Sequence, residues 1–170
     1  MELRTLNDVL VEELGDLYSA EQQLIEALLK MAAAAHSEEL RRAFQSHLEE
    51  TRGHARRLEA SFEELGVAIP DETCEAMQGL IREGGQITEA SGDATVIDVA
   101  LIGAAQRVEH YEIAAYGTAR AIASELGLDT IKGLLDDTLD EEGAADNLLT
   151  KIAEGGLLHS GINQEAATGA

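Results

Sequence analysis

Three titratable side chains in the stretch HLEETRGH, residues 47–54, interrupt a run of apolar positions. On a helix turning about 100° per residue, His47, Glu50 and His54 share one face. Leu40, Phe44, Leu58, Phe62 and Leu65 place their apolar side chains on that same face. The interruption recurs elsewhere. Glu21 takes the missing place in the series Leu14, Leu17, Leu24, Leu28, Met31; Glu112 fills a gap between Val108 and Ala115; Glu142 sits among Leu135, Thr138, Ala145 and Leu149. Glu109 precedes Glu112 by one turn, and Asp146 follows Glu142 by one turn.

A lone ionised carboxylate in such a core costs several kcal/mol, against a total domain stability of about 5–15 kcal/mol. Three explanations are open: ion pairs with buried arginine, protonation, or a cation held among the acids. Height along the helices decides which groups can meet. Counted from a turn near residue 35 and another near residue 128, Glu21, Glu50, His54, Glu109, Glu112, Glu142 and Asp146 all fall near mid-helix. Residues three or four apart face one way, so Glu50 with His54, Glu109 with Glu112, and Glu142 with Asp146 can each chelate. Six carboxylates around two divalent cations leave a net charge of −2. Oxygen-rich ligation with one imidazole suits iron, or manganese, better than a thiolate-seeking ion. His47 is either a competing ligand or a partner that hydrogen-bonds a ligand carboxylate, and the second role is assigned to it. Tyr18 and Tyr111 are read as core residues with ordinary hydrogen bonds, and His36, His110 and His159 as surface or helix-end residues.

The elements that must position these groups are helices. Apolar steps of three and four predict a first helix from about Leu3 with Thr5 and Asp8 at its start, and a second from Ser37 to Gly66. Asp71 is a candidate cap for a shorter connector helix over about 71–90, weakened at Gly84 and Gly85. Ser91, Gly92 and Asp93 precede a third long helix running to Leu126; Gly127 links it to a fourth, which ends at Gly155 and Gly156. Two short-linked helix pairs joined by a longer segment predict an all-α, antiparallel four-helix bundle with one long crossover. The bundle is expected over 1–157, with a flexible tail over 158–170. EETRGH at 49–54 can be laid on EEGAAD at 141–146, pairing Glu50 with Glu142 and His54 with Asp146.

Composition narrows the partners. The 170 residues suit one domain, and a single proline with 3% aromatic residues favours helix over sheet. Thirty-three acidic residues against 12 Lys and Arg give a net charge of −21, which argues against nucleic acid and anionic membranes and attracts cations. No apolar run approaches the ~20 residues of a membrane span, so a soluble, cytoplasmic protein is expected. Cys74 is alone and is read as an inert small core residue.

The stretches DLYSAEQQL, HLEETRGHARRLE, ALIGAAQRVEHYEIAAYGT and LLDDTLDEEGAADNLLTKIA make the chain resemble the ferritin-like superfamily, and more closely its YciE/YciF family of bacterial stress-associated proteins. The resemblance covers all but about the last dozen residues. It implies a carboxylate-bridged metal pair, with one Glu from each of two helices and Glu-x-x-His from the other two. Glu21 and Glu109 match the single glutamates, Glu50 and Glu142 the bridging ones, and Glu112 resembles the extra carboxylate of rubrerythrin-like proteins. The chain departs from the pattern in two places: His54 follows Glu50 by four residues, and Asp146 stands where a second His is expected. The expected function is a ferritin-like protein binding two divalent metal ions, iron first and manganese second, and reacting with oxygen or peroxide under stress. The alternative is a non-catalytic structural or interaction protein with a structural metal. A homodimer is expected in either case.

Overall fold

The structure, a computed structural model, describes residues 3–156 and 159–169. Its helices are α1 (Leu6–Ala34), α2 (Glu38–Leu65), α3 (Glu75–Thr88), α4 (Ala94–Glu125), α5 (Asp129–Glu154) and α6 (Ile162–Thr168); Gly155–Gly156 (β1) and His159–Ser160 (β2) form one antiparallel two-residue pair. The termini follow local chemistry. Thr5 and Asp8 form a reciprocal capping box at α1, Ser37 caps α2, and Asp93 accepts from the backbone of Thr95 and Val96 at α4. Gly66 and Gly127 end α2 and α4 in the left-handed region, at φ 67° and 69°, where a side chain would be strained.

The four long helices form a ring in which α1 packs on α2 and α4, and α5 packs on α2 and α4. Adjacent helices run antiparallel. Along α1 and α4, His36 beyond the end of α1 meets Asp98 while Glu21 meets Tyr116; along α2 and α5, His47 meets Glu142 while Arg57 meets Thr138. Closing the ring this way requires residues 67–93 to return along the bundle, over the about 42 Å of the 28-residue α2. α3 lies on this crossover, against α1 and α4. It starts at Cys74 rather than Asp71: the Cys74 amide donates to Ser19 Oγ at 2.9 Å and its sulfur accepts from the Met77 amide. α3 also continues through Gly84 and Gly85, because Gly84 is buried close to α4, where a Cβ would meet Ala104 Cβ at 3.6 Å.

The expected flexible tail is partly ordered structure. Ile162 is 7% exposed and joins the main core, while α6 packs on α4 and α5. A lone isoleucine anchors it, and Gly161 permits the approach, since a Cβ there would lie 2.3 Å from the Glu154 carbonyl carbon. Residues 157 and 158, and the side chain of His159, lie outside the described residues. Among the described residues no helix is long and apolar enough to cross a membrane.

Asp98, buried on α4, pins the turn between α1 and α2 by accepting from the amides of His36 at 2.9 Å and Ser37 at 2.6 Å. Replacing Asp98 with Ala leaves both donors without an acceptor, at about 1–3 kcal/mol each. Urea unfolding of Asp98→Ala should therefore show a clear loss of stability, with Asp98→Asn intermediate.

Candidate metal centre

Two apolar clusters fill the bundle. One contains Leu24, Leu28, Met31, Phe44, Leu48, Leu101 and Val108; the other contains Leu10, Leu14, Leu17, Leu58, Phe62, Tyr116 and Leu135. Between them all four long helices contribute buried polar side chains: Glu21 from α1, His47, Thr51 and His54 from α2, Glu109 and Glu112 from α4, and Thr138 and Glu142 from α5. The hydroxyls satisfy themselves locally, Thr51 donating to the His47 carbonyl at 2.8 Å and Thr138 to that of Leu134. The acids and imidazoles do not. Glu21 Oε2, His47 Nε2, His54 Nδ1, Glu109 Oε2, and both side-chain oxygens of Glu112 and of Glu142 are buried without a hydrogen-bond partner. Native interiors tolerate few such atoms, and here eight converge. Ligand atoms of His47, Glu109, Glu112 and Glu142 lie within 4.8 Å of one another, as do those of Glu21, His54 and Glu142. The two groups share Glu142.

Each imidazole is held from outside. Arg57 donates to Glu141 through Nη1 at 2.6 Å and Nη2 at 2.8 Å, and Glu141 Oε2 lies 2.9 Å from His54 Nε2. The Arg57 guanidinium keeps the Glu141 carboxyl below its usual range, so Glu141 can only accept. His54 Nε2 therefore carries the proton, and Nδ1 points inward, 2.9 Å from Glu142 Oε1 and 3.5 Å from Glu21 Oε1. These contacts are close enough for charge attraction but lie off the direction a hydrogen bond requires, so Nδ1 stays unpartnered. His47 repeats the arrangement with its nitrogens exchanged. Its Nδ1 is 3.2 Å from Glu50 Oε2, and Nε2 faces Glu109 Oε1 at 3.3 Å and Glu142 Oε2 at 3.7 Å.

Burial, with the neighbouring Glu142 charge, pushes the Glu109 and Glu112 carboxyls well above the ordinary range. Burial raises Glu21 too, although the His54 contact and the Tyr116 hydroxyl, which donates to Glu21 Oε1 at 2.5 Å, act against it. Burial also opposes the charging of Glu142 and His54, but their attraction prevails: Glu142 is held low and His54 is pushed up to about 10. Without cations the cluster thus resolves its charge with protons.

Of the expected ligands, Glu21, His54, Glu109, Glu112 and Glu142 are brought together, and Glu50 and Asp146 are placed outside. The inward face of α2 is centred on His47, Thr51 and His54, which leaves Glu50 at its edge with a side chain 41% exposed. Asp146 accepts from Gln106 Nε2 at 3.1 Å and lies 3.4 Å from the exposed His110, on the seam between α4 and α5. The second imidazole comes instead from His47, a position at which sequence spacing alone does not separate ligand from partner. Tyr116 is the site residue the sequence reading missed; its place four residues after Glu112 is the available signal. Tyr18 bonds Glu59, and Tyr111 donates to Asp16 at 2.6 Å and lies 3.0 Å from the Cys74 sulfur. Burial pushes the Cys74 thiol up, in keeping with an unreactive core residue.

The donors fit divalent cations of the iron and manganese type: four carboxylates and two neutral imidazoles, with no thiolate among them. Two such ions balance the four carboxylates' charge, where the six acids first expected would have left −2.

Comparison with known proteins places the chain. The family described as Domain of unknown function (DUF892) matches residues 5–167. Protein YciF of Escherichia coli strain K12 is 46% identical over 154 residues, 90% of this chain and 93% of that protein. The crystal structure of the E. coli stress protein YciF superposes with a TM-score of 0.85, covering 88% of this chain and 94% of that one. YcfI of Rhodopseudomonas palustris is 43% identical, with a TM-score of 0.86 over 89% of this chain and 97% of that one. A protein of Xanthomonas campestris, 23% identical with a TM-score of 0.71 over 98% of this chain and 95% of that one, shares the fold. The capped four-helix bundle, its crossover and its match from Thr5 almost to the C-terminus make this chain a member of the DUF892 family, similar to YciF.

Proposed function

We propose that the protein holds two divalent metal ions, iron or manganese, between its long helices and reacts with oxygen or peroxide. The observation that carries this reading is the set of eight unpartnered buried atoms on Glu21, His47, His54, Glu109, Glu112 and Glu142. Bound there, the ions would supply redox chemistry and a coordination position for a small oxidant. Glu142, common to both groups, would be shared between them; Glu21 and His54 would hold one side, and His47, Glu109 and Glu112 the other. The Tyr116 hydroxyl fixes the orientation of Glu21, and the apolar clusters on either side exclude bulk water. Arg57 and Glu141 keep His54 in the tautomer with Nδ1 inward, and Glu50 does the equivalent for His47.

A second reading, a non-catalytic protein with a structural metal, is favoured by the position of the cluster, which ties all four long helices at one level. The relative from R. palustris is itself described only as a candidate structural protein. Iron-reconstituted protein separates the two. Peroxide consumption well above that of the metal-free form is expected; a large metal-dependent rise in melting temperature with no consumption would leave the structural reading standing.

Glu141→Gln should weaken metal binding by about 10–100-fold in a competition titration with a chromophoric chelator, while far-ultraviolet circular dichroism stays unchanged. Unaltered affinity would show that Glu141 does not orient His54.

The metal-free protein has its own pH signature. A carboxyl raised on folding stabilises below its unfolded value of 4.5, and that contribution is lost as pH rises through its folded value; Glu109 and Glu112 are of this kind. His54, raised from 6.5 to about 10, has the same sign: its contribution is full below 6.5 and lost as pH rises toward 10. Glu141 and Glu142 have the opposite sign, but their losses are confined below 4.5. In chelator, the melting temperature should therefore fall as pH rises above 6.5. Glu112→Gln should melt above the parent by a margin that grows with pH, and should gain less than the parent from added manganese.

A further inference from the structure

We infer that a narrow cleft between α2, α4 and α5 is the entry route to the cluster, resting on the metal-centre reading above, and that it admits only hydrated ions and small oxidants. The cleft holds about 110 Å³ and is lined by Phe44, His47, Glu50, Glu109, Ala145 and Leu148 among others. Its inner end is formed by His47 and Glu109, both part of the candidate cluster. Its outer end is at solvent: Leu148 is 41% exposed, and the side chain of Glu50 equally so. One cleft thus runs from the solvent-exposed Glu50 and Leu148 to His47 and Glu109, whose buried Nε2 and Oε2 lack partners.

Size sets the class of passenger. At about 30 Å³ per water, the volume takes three or four waters, enough for a partly hydrated divalent ion, dioxygen or hydrogen peroxide. Organic substrates need pockets of about 300 Å³ or more. A larger cavity, of about 300 Å³, exists between α1, α3 and α4, but its lining includes none of the cluster residues.

Charge assigns Glu50 its task. Apart from Ser46, the remaining walls are apolar: Ala43, Phe44, Ala144, Ala145, Leu148 and Leu149. Glu50 is the one acid in the cleft that faces solvent, and it touches His47 Nδ1 on its inner side. It takes an incoming cation from water and passes it inward to His47 and Glu109. The sequence spacing that makes Glu50 look like a ligand is thus satisfied by a residue at the entrance of the site.

Uptake of cobalt(II) by metal-free full-length protein, followed by the growth of its visible absorption, tests the route. Ala145→Leu narrows the cleft and should slow uptake at unchanged final cobalt content. Leu148→Ala widens it at an exposed position and should speed uptake, a gain that misfolding would not produce. Glu50→Gln should slow uptake about tenfold through lost electrostatic attraction. Parental rates in all three variants, with cobalt content intact, would overturn the route while leaving the site standing. A parent protein that takes up no cobalt would overturn both.

Discussion

Four carboxylates and two imidazoles share one dry layer between two apolar clusters, and the rest of the structure answers to that constraint. Desolvating one unpaired carboxylate costs several kcal/mol, so four together approach or exceed a domain's whole stability of about 5–15 kcal/mol. Buried arginine does not resolve the conflict. Arg57 reaches Glu141 and Thr138 at the edge of the layer, and the inner oxygens remain unpartnered. What is left is protons or metal cations, and the geometry accommodates both. Each helix can contribute acids or imidazoles because its own stripe above and below the layer is apolar enough to carry the packing.

Orientation is supplied from outside the layer. His54 and His47 both face Glu142, but with different nitrogens, because different outer carboxylates hold them, Glu141 on Nε2 and Glu50 on Nδ1. The two supports are not equal. Glu141 is locked by a two-point Arg57 contact, whereas Glu50 is half-exposed and has no cation of its own among the described contacts. The rigid support stands beside the Glu21 and Tyr116 side, and the movable one stands beside the cleft. That asymmetry is why entry is assigned to one end of the layer.

Much of the architecture is legible in the residue spacing. Caps at Thr5, Ser37 and Asp93, and left-handed glycines at Gly66 and Gly127, mark the long helices by purely local chemistry. Glu21, Glu109, Glu112, Glu142 and His54 are legible as gaps in apolar stripes, because an interior acid conflicts with its surroundings wherever it occurs. The choice among His47, Glu50 and Asp146 is not, since it turns on about 50° of helix rotation, set by how α2 and α5 pack rather than by their own sequences. Tyr116 escapes notice because an aromatic on an apolar face looks like core until its hydroxyl is seen against Glu21. α3 starting at Cys74 and α6 docking through Ile162 depend on tertiary anchors, Ser19 and the end of α5, that no local signal reveals.

Protons and metal ions would compete for the same lone pairs in this layer, and charge balance sets the terms of that competition. In the metal-free state, neutral Glu109 and Glu112 and a charged His54 beside Glu142 keep the net charge small. Two divalent ions would allow all four acids to ionise and His54 to become neutral, leaving no residual charge on the carboxylates and ions. One ion with every acid ionised would leave −2 in a site without water to screen it, so partial occupancy must retain protons or draw in the second ion. Because Glu142 belongs to both groups, whatever orders it on one side prepares the other. Shared use of that one carboxylate is what makes two adjacent three- and four-residue groups a single centre.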